Sequence, residues 1–366
     1  MVQVALRWHR VAPARQPTPD AAWGTVDLAT LPPDPSLAAL LPPLLALREG
    51  VLPWRRSGAA TVVVCADPSR AIRTLPQLEA ALGPVRLARA EPEPLRSALS
   101  DLVGRPLATR AERRLPSPAS CRSLRGGRLA RWGLSGAALL LAAVLLAPLA
   151  LLASLAMLAA ATLLLSAALR LAALLTALRV ESADQGAQVV PARLPIVSVL
   201  VPLYREPEIA GTILARIAAL DYPRKCLDLC LILEDDDDLT RRAVASAELP
   251  AWVQVIVVPE GTIRTKPRAL NYALPFARGS VIGIYDAEDL PAPDHLRRVA
   301  EVFARRGART ACLQGALDYF NSGRNWMARC FTLEYAAWFR VLLPGLERLG
   351  MALPLGGTTL FLRGLR

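Results

Sequence analysis

The stretch VIGIYDAEDLPAPDHL, residues 281–296, runs from an apolar segment straight into Asp286, Glu288 and Asp289. Three carboxylates this close repel one another, and each raises its neighbours' pKa unless a cation sits among them. A second apolar segment, LDLCLILEDDDD at 227–238, also ends in acid, and a third, PIVSVLVPLY at 195–204, runs into Arg205 and Glu206. A hard divalent cation resolves such crowding, because Mg2+ or Mn2+ takes oxygen ligands, uses one or two carboxylates and completes its shell with phosphates. Between the two acidic runs stands Lys266, in TKPRALN, a cation suited to a diphosphate. Either acidic run alone reads as a solvated turn. Two of them at successive strand ends, with a lysine between, point to a metal and a diphosphate.

Those residues need elements to hold them. From residue 195 the chain alternates β-branched apolar runs (195–204, 227–238, 252–261 and 280–289) with segments of helical spacing. EPEIAGTILARIAALDY is one such helix, and TKPRALNYALPFARG another, closed by Gly279. This alternation predicts an α/β domain with a mostly parallel sheet covered by helices. Ligands of such sheets bind beyond the carboxyl ends of the strands, where the acidic residues fall.

Upstream, residues 132–169 are 38 positions without a charge. As one helix they would reach about 57 Å, nearly twice a hydrocarbon core of roughly 30 Å. Two transmembrane helices of about 17–18 residues, broken near Pro148, fit that thickness better. Arg110, Arg113, Arg114, Arg122, Arg125, Arg128 and Arg131 precede the run, and Arg170 and Arg179 follow it. Arginine on both flanks predicts a hairpin in the inner membrane, multi-pass, with both soluble domains cytoplasmic. One tilted helix followed by an interfacial one is the alternative. The segment 328–350, ARCFTLEYAAWFRVLLPGLERLG, suits either an interfacial helix on the bilayer or an ordinary core helix.

The expected organisation is therefore a small α/β module at 1–115, a basic linker at 116–131, two membrane helices at 132–180 and an α/β domain with a metal–diphosphate site at 190–366. In the first module AATVVVCADPSR reads as a strand, TLPQLEAALG as a helix stopped by Gly83, PVRLARA as a strand and EPLRSALSDLVG as a helix. No catalytic constellation appears there, so an interaction module with a protein partner is the default.

Composition narrows the partners. The 366 residues carry 43 Lys+Arg against 31 Asp+Glu, a formal charge of +12, which suits an anionic membrane face or a phosphorylated substrate. Aromatic residues are 5%, with no interleaving of arginine and aromatics, so no nucleic-acid partner is expected. Six scattered cysteines and only two histidines argue against a disulfide framework and against zinc; buried free thiols in a reducing cytosol fit better. The N-terminus lacks the apolar core of a signal peptide.

Taken in order, IVSVLVPLYREPE, LDYPRKCLDLCLILEDDDD, TKPRALNYAL, IGIYDAEDLPAPDHL and GGTT resemble a membrane-bound family 2 glycosyltransferase of the processive-synthase-like type. The resemblance covers 195–366 and implies a type A glycosyltransferase fold and an inverting, metal-dependent sugar transfer. The donor would be a nucleotide-diphosphate sugar, and the acceptor a saccharide or lipid at the bilayer. By that resemblance Pro202, Tyr204 and Glu206 border the base and ribose, Asp235 or Asp236 accepts a hydrogen bond from the base, and Lys266 lies near the donor. Asp286, Glu288 and Asp289 stand at the Asp-x-Asp metal motif, with Glu in the middle place. Gly356, Gly357 and Thr358 match the acceptor-side Gly-Gly-Thr segment, and Gln314 is expected to line the same cleft. The family's catalytic base follows that segment by some tens of residues, ahead of a Gln-x-x-Arg-Trp motif and further helices, and is thus expected beyond Arg366.

The first module resembles the N-terminal domain of type II secretion ATPases, on its spacing and its ADP…LEAALG pattern. Two other readings compete. A nucleotidyl or phosphosugar transferase would want a Gly-rich phosphate loop after the first strand, where LYREPEI has none. A membrane-anchored scaffold with an incomplete, inactive transferase domain would need the acidic strand ends for nothing.

Overall fold

The computed structural model describes residues 24–116, 119, 127–178, 191, 193–206, 208–319, 321–356 and 358–364. Of the expected features, Arg122, Arg125, Arg179 and Gly357 lie outside the described residues.

In chain order the first elements are β1 (Thr25–Val26), α1 (Pro35–Ala38), α2 (Pro43–Glu49), β2 (Val51–Ser57), β3 (Ala60–Cys65), α3 (Pro68–Arg73), α4 (Leu75–Leu82), β4 (Val85–Ala90), α5 (Pro92–Leu99) and α6 (Arg105–Glu112). A π-helical turn, Ser100–Gly104, joins α5 to α6. The strands form a sheet in the order β1-β4-β3-β2. The ATVVVC run of β3 is buried at every position, as a central strand of β-branched residues should be. It pairs in parallel with β4, and α3 and α4 make the crossover between them. Gly83 ends α4 at φ 75°, a conformation in which only a residue without Cβ is unstrained. Val62, Val63, Val64, Leu78 and Leu95 are among the residues of the module's core.

Two long helices follow, α7 (Gly127–Leu146) and α8 (Pro148–Leu178). The break falls at the expected proline. Only Ala147 separates the helices, its N–H donates to Ala143 O (3.0 Å), and its carbonyl accepts from Leu151 N (3.0 Å). Ala147 thus ends one helix and begins the next, and Pro148, at the first position of α8, has no N–H to continue the ladder. The two helices are unequal, at 20 and 31 residues, where two spans of about 17–18 were expected. Among the described residues one helix, Pro148–Thr176, is long and apolar enough to cross a membrane, while Trp132–Leu146 is shorter. Leu139, Leu145, Leu149, Leu163 and Leu165 on these helices are exposed.

The remaining elements are β5 (Val197–Leu203), α9 (Ile209–Ala218), β6 (Leu227–Glu234), α10 (Asp238–Ser246), β7 (Val253–Val258), α11 (Lys266–Ala273), β8 (Val281–Ile284), α12 (His295–Arg306), β9 (Cys312–Gln314), α13 (Trp326–Ala336), α14 (Leu343–Arg348) and β10 (Leu360–Arg363). The strand order is β7-β6-β5-β8-β10-β9. β6 and β7 are parallel, but β10 runs antiparallel to both β8 and β9. β10 is therefore reversed against both its neighbours, and the sheet is mixed, with one reversed strand beside the edge. The short segments CLQ and LFLR, each below the length at which period-2 patterning is legible, supply the antiparallel edge.

One further expectation shifts. The helix from Thr265 does not reach Gly279: α11 stops at Ala273 and a 3₁₀ turn, Leu274–Phe276, follows, because Pro275 cannot continue the ladder. Gly279 instead lets the backbone approach closely, since a Cβ there would meet Ser198 N at 2.5 Å and Ile196 O at 2.6 Å. The 328–350 segment is helical without a break to Arg348, as α13, a π-helical stretch (Ala337–Leu342) and α14. α13 buries no side chain, with Trp326 and Leu333 exposed, whereas α14 packs on α8 where Gly345 faces Ala173.

By its contacts the chain divides into two compact units. One comprises Met1–Arg114, Leu200–Thr212 and Leu229–Arg278; the other comprises Leu115–Val199, Ile213–Asp228 and Gly279–Arg366. Most of β6, with β7 and α11, thus belongs to the same compact unit as the N-terminal module.

Candidate functional site

In the first unit the acidic run at the end of β6 separates into five different roles. Glu234 is buried and meets Arg268 Nη1 at 3.3 Å. Asp235 pairs with Arg241 Nη1 (3.3 Å), which also donates to the Asp235 carbonyl (2.7 Å). Asp236 makes an ion pair with Arg264 Nη1 at 2.9 Å. Asp237 is the N-cap of α10: its carboxylate accepts from Thr240 N (3.2 Å) and from the backbone N–H of Arg205. Asp238 opens the helix, where the positive end of the dipole favours it. Burial pushes the Asp237 carboxyl up, but the bonds from Thr240 and Arg205 outweigh it, and the net position is below the usual carboxylate value.

Tyr204 sits just past β5, and its hydroxyl accepts from Arg264 Nη1 (2.9 Å). The same guanidinium stands 5.5 Å from the Tyr204 ring centroid, within cation–π range. Arg205, between Tyr204 and Glu206, adopts φ 59°, an uncommon conformation for a residue with a Cβ. Glu206 N donates to Thr240 Oγ1 (3.0 Å). Pro202 lies within β5, half-buried. Tyr204 and Asp236 are thus brought together, through Arg264, a residue that the sequence reasoning passed over. Lys266 is the first residue of α11, two positions further on. An arginine two places before the lysine in a loop entering a helix was the available signal.

In the second unit β8 delivers the DAED turn. Arg216, on α9, donates from Nη1 to the carbonyl oxygens of Ala287 (3.3 Å), Glu288 (2.8 Å) and Asp289 (3.3 Å). Its charge therefore fixes the backbone of the turn. Asp289 Oδ2 accepts from Asp286 N (2.9 Å) and from the hydroxyl of Thr358, and Thr358 Oγ1 also accepts from Asp286 N (3.1 Å). Burial pushes the Asp289 carboxyl above its usual value; the hydrogen bonds pull it back, and Asp286 and Glu288 add repulsion. The turn thus closes on itself and on the segment before β10. Thr359, at φ 52°, is a second non-glycine residue in left-handed conformation, and its N–H donates to Ile284 O (2.8 Å). Beneath the turn, the hydroxyl of Tyr285 bonds His295 Nδ1 (2.8 Å), and burial holds that imidazole below its usual pKa.

Gln314 makes two bonds to the Gly-Gly-Thr segment. Its Oε1 accepts from Gly356 N (2.8 Å) and its Nε2 donates to Thr358 O (3.1 Å), so the amide staples the Gly-Gly-Thr segment to β9. It also borders a cavity with Leu313, Phe339, Leu355 and Phe361.

The donor set of the acidic turn fits a hard divalent cation. Asp286 and Glu288 supply oxygen ligands without nitrogen or sulfur, and Asp289 spends one oxygen on the loop. Among the described residues no three His, Cys, Asp or Glu side chains cluster to hold an ion by themselves.

Residues 194–365 match the model of the glycosyltransferase like family 2, and residues 21–109 match that of the MshEN domain. Over 169 residues the chain is 23% identical to glucomannan 4-beta-mannosyltransferase 7 of Arabidopsis thaliana, covering 44% of this chain and 30% of that protein. Over 113 residues it is 28% identical to the beta-monoglucosyldiacylglycerol synthase of Trichormus variabilis, covering 31% and 24%. Among solved structures, the mannosyltransferase PcManGT from Pyrobaculum calidifontis, in complex with GDP-Man and Mn2+, aligns at TM-score 0.33 and 28% identity, covering 43% of this chain and 46% of that one. The chain thus spans less than a third of either curated relative's length. Its residues 194–365 form a domain of the glycosyltransferase family 2 type, preceded at 21–109 by an MshEN domain.

Proposed function

We propose that this protein transfers a sugar from a nucleotide-diphosphate donor to a saccharide or lipid acceptor at the cytoplasmic face of a membrane, with inversion and with the help of a divalent cation. The observation that carries the reading is the DAED turn, at the end of β8 in a domain matching a glycosyltransferase family. Its backbone is held by Arg216 and its Asp289 by Thr358, an arrangement that aims acid at one place and keeps it there. Asp286 and Glu288 would hold Mg2+ or Mn2+, and Asp289 would keep the turn in shape. Bound there, the cation would neutralise charge on the diphosphate leaving group. Arg264, Asp236 and Tyr204 would receive the nucleoside end, Asp236 being favoured over Asp235 because Arg241 engages Asp235 on both its side chain and its carbonyl. Lys266 would face the phosphates. The glycine-rich segment stapled by Gln314 would admit the acceptor closely, the lack of a side chain leaving room for a sugar ring.

The membrane part of the proposal rests on the apolar helix Pro148–Thr176 and on one packing fact. Residues of the N-terminal module and residues 229–278 belong to the same compact unit, so they share one side of any bilayer. The arginine-rich flank favours the cytoplasmic side for that unit.

Calorimetry of the full chain with UDP and with GDP, each with Mn2+ and with chelator, tests the reading. One nucleotide is expected to bind with Mn2+ and at least tenfold more weakly in chelator, because carboxylates facing a diphosphate repel it without a cation between. Asp286→Ala is expected to abolish the difference. Equal binding of either nucleotide with and without Mn2+, unaffected by Asp286→Ala, would refute the metal assignment.

A further inference from the structure

We propose that Glu112, the last residue of α6 in the N-terminal module, is a positioning residue for the nucleotide donor. It acts by clamping the segment of the transferase domain that carries Arg264 and Lys266. The inference rests on the donor-binding reading of those two residues and adds the module to the machinery of the site.

Glu112 is 150 positions from Thr262 and 156 from Arg268, yet both oxygens of its carboxylate are engaged by them. Oε1 accepts from Arg268 Nε at 2.7 Å and from Thr262 N at 3.2 Å, and Oε2 accepts from Thr262 Oγ1 at 2.8 Å. Arg268, with a side chain only 1% exposed, in turn reaches Glu234 and the Pro259 carbonyl. Both anchor points, Thr262 and Arg268, bracket a seven-residue span, and Arg264 and Lys266 lie inside it. The clamp thus has a grip on either side of the two cations. It also reaches β6 through Glu234, two residues before Asp236, the partner of Arg264.

The packing leaves no slack in this arrangement. A Cβ on Gly261 would lie 2.1 Å from Glu112 Oε1 and 2.2 Å from Arg268 Nη2, so only glycine lets the strand-to-helix segment pass the carboxylate. At the start of the same helix, a Cβ on Gly104 would come within 2.9 Å of the Pro259 side chain. The module's α6 therefore abuts the 259–268 segment at both ends. A buried, charge-assisted network of this kind holds a loop in one geometry more firmly than apolar packing, whose contacts are non-directional. A loop carrying two cations needs that, because their distance to a diphosphate decides their worth.

The test uses the full chain and measures Kd for UDP and GDP with Mn2+ together with thermal stability. Glu112→Gln keeps one acceptor oxygen and loses the charge; Thr262→Val removes a single hydroxyl and serves if the first variant fails to fold. Either is expected to weaken nucleotide binding, Glu112→Gln by about tenfold, roughly the worth of one charge-assisted hydrogen bond. Val63→Ala, in the core of the N-terminal module, is the control: it is expected to lower the melting temperature and leave Kd unchanged. Arg264→Ala reports on the donor reading itself. Loss of affinity in Arg264→Ala with wild-type affinity in folded Glu112→Gln and Thr262→Val would overturn the positioning role alone. An equal loss of affinity in Val63→Ala would reduce Glu112 to general stability and overturn it too. Unchanged affinity in Arg264→Ala, or no binding of either nucleotide to the wild type, would bring down the donor reading and this inference with it.

Discussion

Replacing Arg268 by methionine keeps most of the side chain's length and removes its charge from a place where water cannot substitute. The guanidinium serves Glu112 (2.7 Å), Glu234 (3.3 Å) and the carbonyl of Pro259. Removing one partner of a buried ion pair costs about 3–5 kcal/mol, because the other charge is left without compensation. Two carboxylates are stranded here, but Glu112 retains both bonds from Thr262, so the lower end, about 3 kcal/mol, is expected. The loss should depend on pH, and its sign follows from the two carboxyls. In the native protein burial pushes the Glu112 carboxyl up, but the bonds from Thr262 and Arg268 bring it below its usual value. Its contribution is therefore present above the unfolded pKa and fades as pH falls through the folded one. Glu234 is already pushed up by burial, with Arg268 opposing. In Arg268→Met both carboxyls keep their burial and lose their cation, so their folded pKa values rise. The folded variant then binds more protons than the unfolded chain, and its stability declines as pH increases. The gap between wild type and variant should thus widen from pH 5 to pH 8. Thermal unfolding in detergent should show a drop of roughly 6–12 °C at pH 8, at about 2–4 °C per kcal/mol for a unit of this size, and a smaller one at pH 5. Adding Glu112→Gln and Glu234→Gln should recover much of it, since neutral partners carry no stranded charge. An equal drop at both pH values, with no recovery in the triple variant, would refute the ion network as the source of stability.

Gly279→Ala should destabilise by about 1–3 kcal/mol or more, because the new methyl meets backbone atoms of Ser198, Ile196 and Val281, which cannot rotate away; an unchanged melting temperature would refute that close approach. Glu79→Cys and Arg242→Cys, placed singly in a background without the native cysteines, should respond alike to an impermeant thiol reagent in intact cells, since both residues belong to one compact unit. Labelling of only one would break the argument that the N-terminal module and the transferase segment share a side of the membrane.

The sequence by itself determined the elements whose signals are local. A run such as ATVVVC or LDLCLILE declares a buried strand through β-branched, apolar residues, and Gly83 declares a helix stop. The uncharged run at 132–169 declares apolar helix, and the acidic ends of LILEDDDD and IYDAED declare chemistry. Local pattern could not divide the run Glu234–Asp238 into an ion-network member, two paired carboxylates, a helix cap and a helix-dipole acid. Those roles are assigned by Arg268, Arg241, Arg264 and Thr240, of which Arg268 and Arg264 are reached through folding and not through spacing. That Gln314 staples Gly356 and Thr358 was decided by folding, since 42 and 44 positions separate them. The partnership of Glu112 with Thr262 and Arg268 joins residues 150 and 156 positions apart. Periodicity reports which face of an element is buried, but the identity of the group that meets it across such a separation exists only in the tertiary structure.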